Sequence, residues 1–167
     1  MPIIQLGPET SLGLLIEGTA KTSIPQYSVL TGLQLGKTAK DGPRWLNIKY
    51  RNILNDRRWD LGEEDWLPQL VAPEDNGGSG QIHVPEGTVI TAIQLGGVSL
   101  TIWYRKIDSP DIYKLGGEEF GATTSEPPDN GGGNLVSKDG YTITGFEWIR
   151  DFPDKQLHLR IWYRPLL

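Results

Sequence analysis

A chain of 167 residues with no cysteine, two histidines and a formal net charge of -5 has the length of one domain and can bury a core without disulfides or thiolate metal sites. Its acidic balance opposes phosphate backbones, so nucleic acid is not an expected partner. Residues 1–9 carry neither a basic n-region nor an apolar h-region, and no later stretch approaches a membrane span. The expectation is a soluble single domain over 1–167, either cytoplasmic, exported without a leader, or the mature form of a secreted chain.

In chain order, a weak strand signal at Leu14-Leu15-Ile16-Glu17 precedes a clear one at Ser28-Val29-Leu30-Thr31-Gly32-Leu33-Gln34-Leu35. There Val29, Thr31, Leu33 and Leu35 alternate with Leu30, Gly32 and Gln34, and a period of two predicts a strand. The loop 36–43 then leads to Leu46-Asn47-Ile48-Lys49-Tyr50-Arg51, with Leu46, Ile48 and Tyr50 on one face. The same pair of runs returns at 88–95 and 100–105, where Gly96-Gly97 suits a two-residue hairpin turn. It returns again at 141–148 and 159–164 around a loop at 149–155. Weaker signals precede each later pair, at 59–61 with 67–71 and at 113–115 with 119–121. The twenty-one glycines and twelve prolines fall between these runs, where turns belong.

Self-similarity at a period of roughly 55 residues means one supersecondary unit, copied, whose apolar face its sister copies cover. The copies run approximately over 1–54, 55–107 and 108–167. With about four strands per copy, the expectation is an all-β fold of three four-stranded antiparallel sheets related by a pseudo-three-fold axis. Leu33, Leu35, Leu46, Ile48, Ile93, Leu100, Ile102, Phe146, Leu159 and Ile161 are the predicted core.

The segments Pro85-Glu86-Gly87-Thr88-Val89-Ile90-Thr91-Ala92-Ile93 and Asp139-Gly140-Tyr141-Thr142-Ile143-Thr144-Gly145-Phe146, each followed by a hairpin and a second strand, resemble the β-prism I family. That family includes jacalin-related lectins and the vitelline-membrane outer layer protein. The resemblance implies a β-prism I fold and, for the lectins, a sugar held by loops at one end of the prism, where a Gly-x-x-x-Asp motif stands before the last strand. The third copy offers Asp151, Phe152 and Asp154 at that place without the glycine, and the first offers Gly36 and Asp41 one residue too far apart.

The expected function is therefore non-enzymatic binding of a carbohydrate or glycoconjugate through Asp151, Phe152, Asp154 and Asp41. Two near-identical loops add Asp75 and Asn76, and Asp129 and Asn130. Asp-Asn-Gly-Gly suits a tight turn, and its carboxylate and amide also suit sugar hydroxyls or calcium. No Asp-x-Asp-x-Asp-Gly loop is present, so neither metal nor cofactor is expected. The alternative is a structural or interaction prism, a coat or toxin-assembly component meeting a protein or membrane surface through Trp103 and Trp162. Those two occupy equivalent outer-face positions, where termini or long loops would otherwise cover them. Trp45, Trp59, Trp66 and Trp148 are assigned to the core or to corners. Arg51, Arg105 and Arg164 recur at one position, as anion ligands or as partners of acidic loops. His83 and His158 lie far apart in the repeat, and no serine has a readable triad neighbourhood.

Overall fold

The computed structural model describes residues 4–18, 20–40, 42–54, 60–73, 78–108, 114–151 and 156–167. Among them the chain is all-β, with no helix. The first copy supplies β1 (Thr10–Ile16), β2 (Thr22–Ser23), β3 (Ser28–Lys37) and β4 (Arg44–Asn52). The second supplies β5 (Leu61–Trp66), β6 (Leu70–Val71), β7 (Gly78–His83), β8 (Thr88–Gly96) and β9 (Ser99–Ile107). The third supplies β10 (Glu119–Ser125), β11 (Gly131–Gly132), β12 (Val136–Ser137), β13 (Tyr141–Arg150) and β14 (Leu157–Pro165).

Three antiparallel hairpins, β3–β4, β8–β9 and β13–β14, are the centres of three sheets. The turn of the second is Gly97-Val98 rather than Gly96-Gly97, because Gly96 pairs with Ser99 inside the ladder. Each copy adds its own first strand to the outer side of its hairpin: β1 on β4, β5 and β6 on β9, β10 on β14. The opposite side is completed by another copy. β2 pairs β8, β7 pairs β13, and β11 with β12 return from the third copy to β3. The sheets are thus not the repeats, contrary to the expectation that each copy makes its own; open hairpin edges are closed by strands passed around the molecule in a circle.

The ten predicted core residues all lie in one buried cluster, to which every sheet contributes. The alternation leading to them, however, is interrupted. Each first hairpin strand carries a bulge, between Leu30 and Gly32, Ile90 and Ala92, and Ile143 and Gly145. The extra residue is Thr31, Thr91 or Thr144. It reverses the parity of the strand, so Leu30 and Leu33 both reach the core at a spacing of three, as do Ile90 and Ile93, and Ile143 and Phe146. Val29 and Val89 turn instead into a smaller cluster with Ile107, joined by Leu6, Tyr27, Ile53, Leu61, Leu115 and Leu166, which closes the end opposite the hairpin tips.

Trp148 is fully buried, as expected, whereas Trp66, on the edge strand β5, is 64% exposed. Trp45 lies over Gly36 and Gly132, where a Cβ would stand 2.1 and 2.8 Å from its ring. Gly132 therefore serves close approach within a ladder as well as the loop before it. Truncating Ile102, which is completely buried, to alanine is expected to cost about 2–5 kcal/mol, read as a fall in the urea midpoint with unchanged slope.

Candidate functional site

Each copy opens on the same four-residue pattern: Leu6-Gly7-Pro8-Glu9, Leu61-Gly62-Glu63-Glu64 and Leu115-Gly116-Gly117-Glu118. The leucine enters the end cluster and pairs with the residue that ends its hairpin, as Leu6 with Ile53, Leu61 with Ile107 and Leu115 with Leu166. Three residues on, the glutamate reaches the bulge. Thr31 Oγ1 donates to Glu9 at 3.1 Å, Thr91 Oγ1 to Glu64 at 3.0 Å and Thr144 Oγ1 to Glu118 at 2.7 Å. A hydroxyl turned outward by a bulge thus meets a carboxylate at one place on each sheet.

Beside each pair runs the segment that crosses from one sheet to the next, and here the copies diverge. At the crossing from β7 to β8, His83 Nδ1 lies 2.7 Å from Glu118 and its ring meets Trp162 edge-on at 4.8 Å. At the crossing from β12 to β13, Asp139 pairs with Arg51 at 2.8 Å. At the crossing from β2 to β3, Ser23 stands where His83 does and Gln26 where Asp139 does, and a cleft of about 470 Å³ is open. Its walls are Ser23, Ile24, Pro25, Gln26, Tyr27 and Ser28 of the crossing, Asp60, Leu61 and Glu64 at the start of β5, Ile90 and Thr91 of β8, and Arg105 of β9.

The carboxylate of Glu64 is the best-defined group in the cleft. Burial opposes its ionisation, but the hydrogen bonds from Lys21 and Thr91 and the charges of Lys21 and Arg105 outweigh burial and hold it below the ordinary 4.5. Lys21 is itself anchored over the ring of Trp103, 4.8 Å from the centroid. Each carboxylate oxygen has one such partner and retains a lone pair for a ligand hydroxyl. Of the recurring arginines, Arg51 is committed to Asp139 and Arg164 donates to the Gly116 carbonyl at 2.9 Å. Arg105 faces the cleft.

The residues expected from sequence fall elsewhere. Asp41, Asp75, Asn76, Phe152 and Asp154 lie outside the described residues. Pro73, which precedes the first Asp-Asn-Gly-Gly loop, and Gly78, which ends it, meet Arg150 near the tip of β13–β14; Arg150 Nε donates to the Pro73 carbonyl at 2.7 Å. Asp129 and Asn130 are exposed beside the tip of β3–β4, since Gly131 pairs with Lys37. Pro73 and Gly78 on the one hand, and Asp129 and Asn130 on the other, thus lie at the tip end of the molecule, in two places rather than one. At the first hairpin the nearby cations are already held, for Lys37 and Arg44 both pair with buried Glu126.

Asp151 belongs to an array that the repeat spacing hides. Ser125 Oγ lies 2.5 Å from His158 Nδ1, and His158 Nε2 lies 2.6 Å from Asp151 Oδ2. Ser125 and His158 are direct partners across β10 and β14, so cross-strand pairing on one sheet face accounts for the contact. No cluster of three or more metal-ligating side chains occurs among the described residues. Comparison with protein-family models, curated proteins and solved structures finds no match to this chain.

Because the folded carboxyl of Glu64 titrates below its unfolded value, its ionised form contributes stability above pH 4.5, and that contribution is lost as the pH falls through the depressed value. Glu64→Gln is expected to lower the melting temperature at pH 7 by about 2–4 °C, equivalent to roughly 1 kcal/mol. Thermal scans from pH 7 to pH 3 should show this difference narrowing in acid; a constant difference would assign the effect to packing.

Proposed function

We propose that the three sheets form a β-prism of type I and that the chain is a non-enzymatic carbohydrate-binding module. The observation that carries the reading is the cleft between the first and second copies. It combines a pinned, ionised carboxylate, a guanidinium and small hydroxyls with the apolar surfaces of Ile24, Pro25, Leu61 and Tyr27. A pyranose has the complementary chemistry, with hydroxyls that donate and accept around the ring and C–H groups on its faces. Glu64 accepts from one hydroxyl, Arg105 donates to a neighbour, Ser23 offers an oxygen of either sense, and Thr91, whose proton is given to Glu64, offers an acceptor. The tip residues, with Asp151 already engaged by His158, form the competing location for a sugar.

A second reading, a prism that docks on a protein or membrane surface, is favoured by two aromatic pairs on outer sheet faces. Trp66 stands opposite Trp103 and Phe120 opposite Trp162, with Trp66 and Phe120 more than half exposed. A glycan array followed by calorimetry separates the readings. Saturable binding of an oligosaccharide is expected, weakened by Arg105→Ala by the ~1–3 kcal/mol that an unpaired buried hydroxyl costs and unaffected by Asp151→Ala. Absence of any glycan hit would overturn the carbohydrate reading in favour of docking, and the opposite pattern of variants would move the site to the tips. In keeping with a non-enzymatic role, a fluorophosphonate probe should leave Ser125 unlabelled; covalent labelling there, abolished by His158→Gln, would make the Ser125–His158–Asp151 array catalytic.

A further inference from the structure

Tyr27 stands where the other copies have glycine. The turns that enter β3, β8 and β13 each contain one left-handed residue, Tyr27 at φ 60°, Gly87 at φ 80° and Gly140 at φ 77°. Their carbonyls accept equivalent cross-strand hydrogen bonds, from the N–H of Ile53 at 2.8 Å, of Ile107 at 2.9 Å and of Leu166 at 2.8 Å. The backbone therefore demands positive φ at this position in all three copies, which glycine satisfies without steric cost and a tyrosine does not. Tyr27 is the one non-glycine residue with positive φ among those described. A residue kept in a sparsely populated conformation against an available glycine points to a role for its side chain.

The side chain's location suggests that role. Tyr27 is half-buried, packing on the end cluster while bordering the open cleft. At the crossings that carry Gly87 and Gly140 instead, His83 Nδ1 stands 2.7 Å from Glu118 and Asp139 pairs with Arg51. Strained tyrosine and open cleft thus meet at one junction.

Resting on the carbohydrate reading, we infer that Tyr27 is the specificity-determining residue of that site, the aromatic platform for the C–H face of a single pyranose, and that the chain binds one such ring despite its three-fold repeat. A tyrosine ring offers a rigid, amphipathic surface at low entropic cost. Held by a left-handed backbone, it is positioned before the ligand arrives. Glu64 and Arg105 then take the hydroxyls at the ring's edge.

The test is calorimetric titration of the full chain and its Tyr27→Phe, Tyr27→Leu and Tyr27→Gly variants with a panel of methyl pyranosides (glucoside, galactoside, mannoside and N-acetylglucosaminide), alongside a melting curve for each. The parent chain should bind one panel member at one site per chain. Tyr27→Phe should bind like the parent, and Tyr27→Leu and Tyr27→Gly should each lose at least about tenfold in affinity. A role confined to packing makes the opposite forecast for leucine, which keeps the apolar bulk: parental affinity with a shifted melting temperature. If the parent binds a pyranoside and the leucine or glycine variant matches it, or if more than one site per chain is found, the inference falls and the carbohydrate reading stands. If the parent binds no panel member, the inference falls as well, and the glycan array then decides the broader reading by itself. Folding of Tyr27→Gly is checked by its melting curve, and should it fail to fold, the contrast between phenylalanine and leucine remains decisive.

Discussion

The unpaired edge of a hairpin is the constraint on which the rest of this structure depends. Two antiparallel strands leave a row of N–H and C=O groups open on each side, and two strands alone are marginal in water. Each copy covers one side of its hairpin with its own first strand, and the other side is covered by a segment that has left a different copy. Passed once around the molecule, this arrangement leaves no copy complete without another. It also obliges the chain to step from one sheet to the next at the same point in each copy, immediately before the long strand that starts the hairpin. The three crossings with their flanking Glu–Thr pairs follow from that step, so the candidate site arises from how the edges are closed.

The central hairpins were legible because their apolar residues repeat at a period of two in three places, and ten positions chosen on that basis all lie in the common core. The bulge was not legible. Val29 and Leu30 are both apolar, as are Val89 and Ile90, so a strand whose parity changes just after them reads the same as one whose parity does not; only the cross-strand register reveals the extra threonine. The exchanged strands escaped for another reason. Three of them, β2, β11 and β12, are two residues long, too short to express a period; β7, Gly78–His83, is longer but opens on Gly-Ser-Gly without an apolar alternation, and the partners of all four are fixed by the tertiary fold. The Leu-Gly-x-Glu repeat was present in plain spelling, but its meaning needs the threonine that it meets. Likewise the spacing of Ser125, Asp151 and His158 carries no sign of contact until β10 lies beside β14.

Three-fold repetition supplies an internal reference for judging single residues. Where all copies agree, as in the leucine of the end cluster or the Glu–Thr hydrogen bond, the shared architecture accounts for the choice. Where one copy departs, the architecture does not. Lys49, Trp103 and Trp162 differ at one outer-face position, and at another, opposite Ala92, Gly145 and Gly32, stand Ser23, His83 and Ser137. Replacing an imidazole by a serine hydroxymethyl removes a ring's volume beside the carboxylate, and replacing Asp139 by Gln26 leaves the arginine of that junction without the partner that Arg51 has. Both differences act in one direction, freeing space and hydrogen-bonding capacity at the first crossing.

What makes that freed space chemically useful is the order already present around it. A carboxylate on a mobile side chain must surrender rotamer freedom when it binds, and that cost is subtracted from affinity. Glu64 has met it on folding: the bulge aims Thr91 at one oxygen, and Lys21, steadied by Trp103, engages the other. The same contacts keep the group ionised, so it enters the cleft as a fixed acceptor of known charge. The attraction of Lys21 and Arg105 for Glu64 also tempers the negative potential that the chain's overall charge would impose there. A neutral polyhydroxyl ligand can then replace bound water by forming directional hydrogen bonds without bringing an uncompensated charge into the cleft. The register that closes the sheet edge sets the bulge, the bulge orients the threonine, and the threonine fixes the carboxylate that the cleft presents.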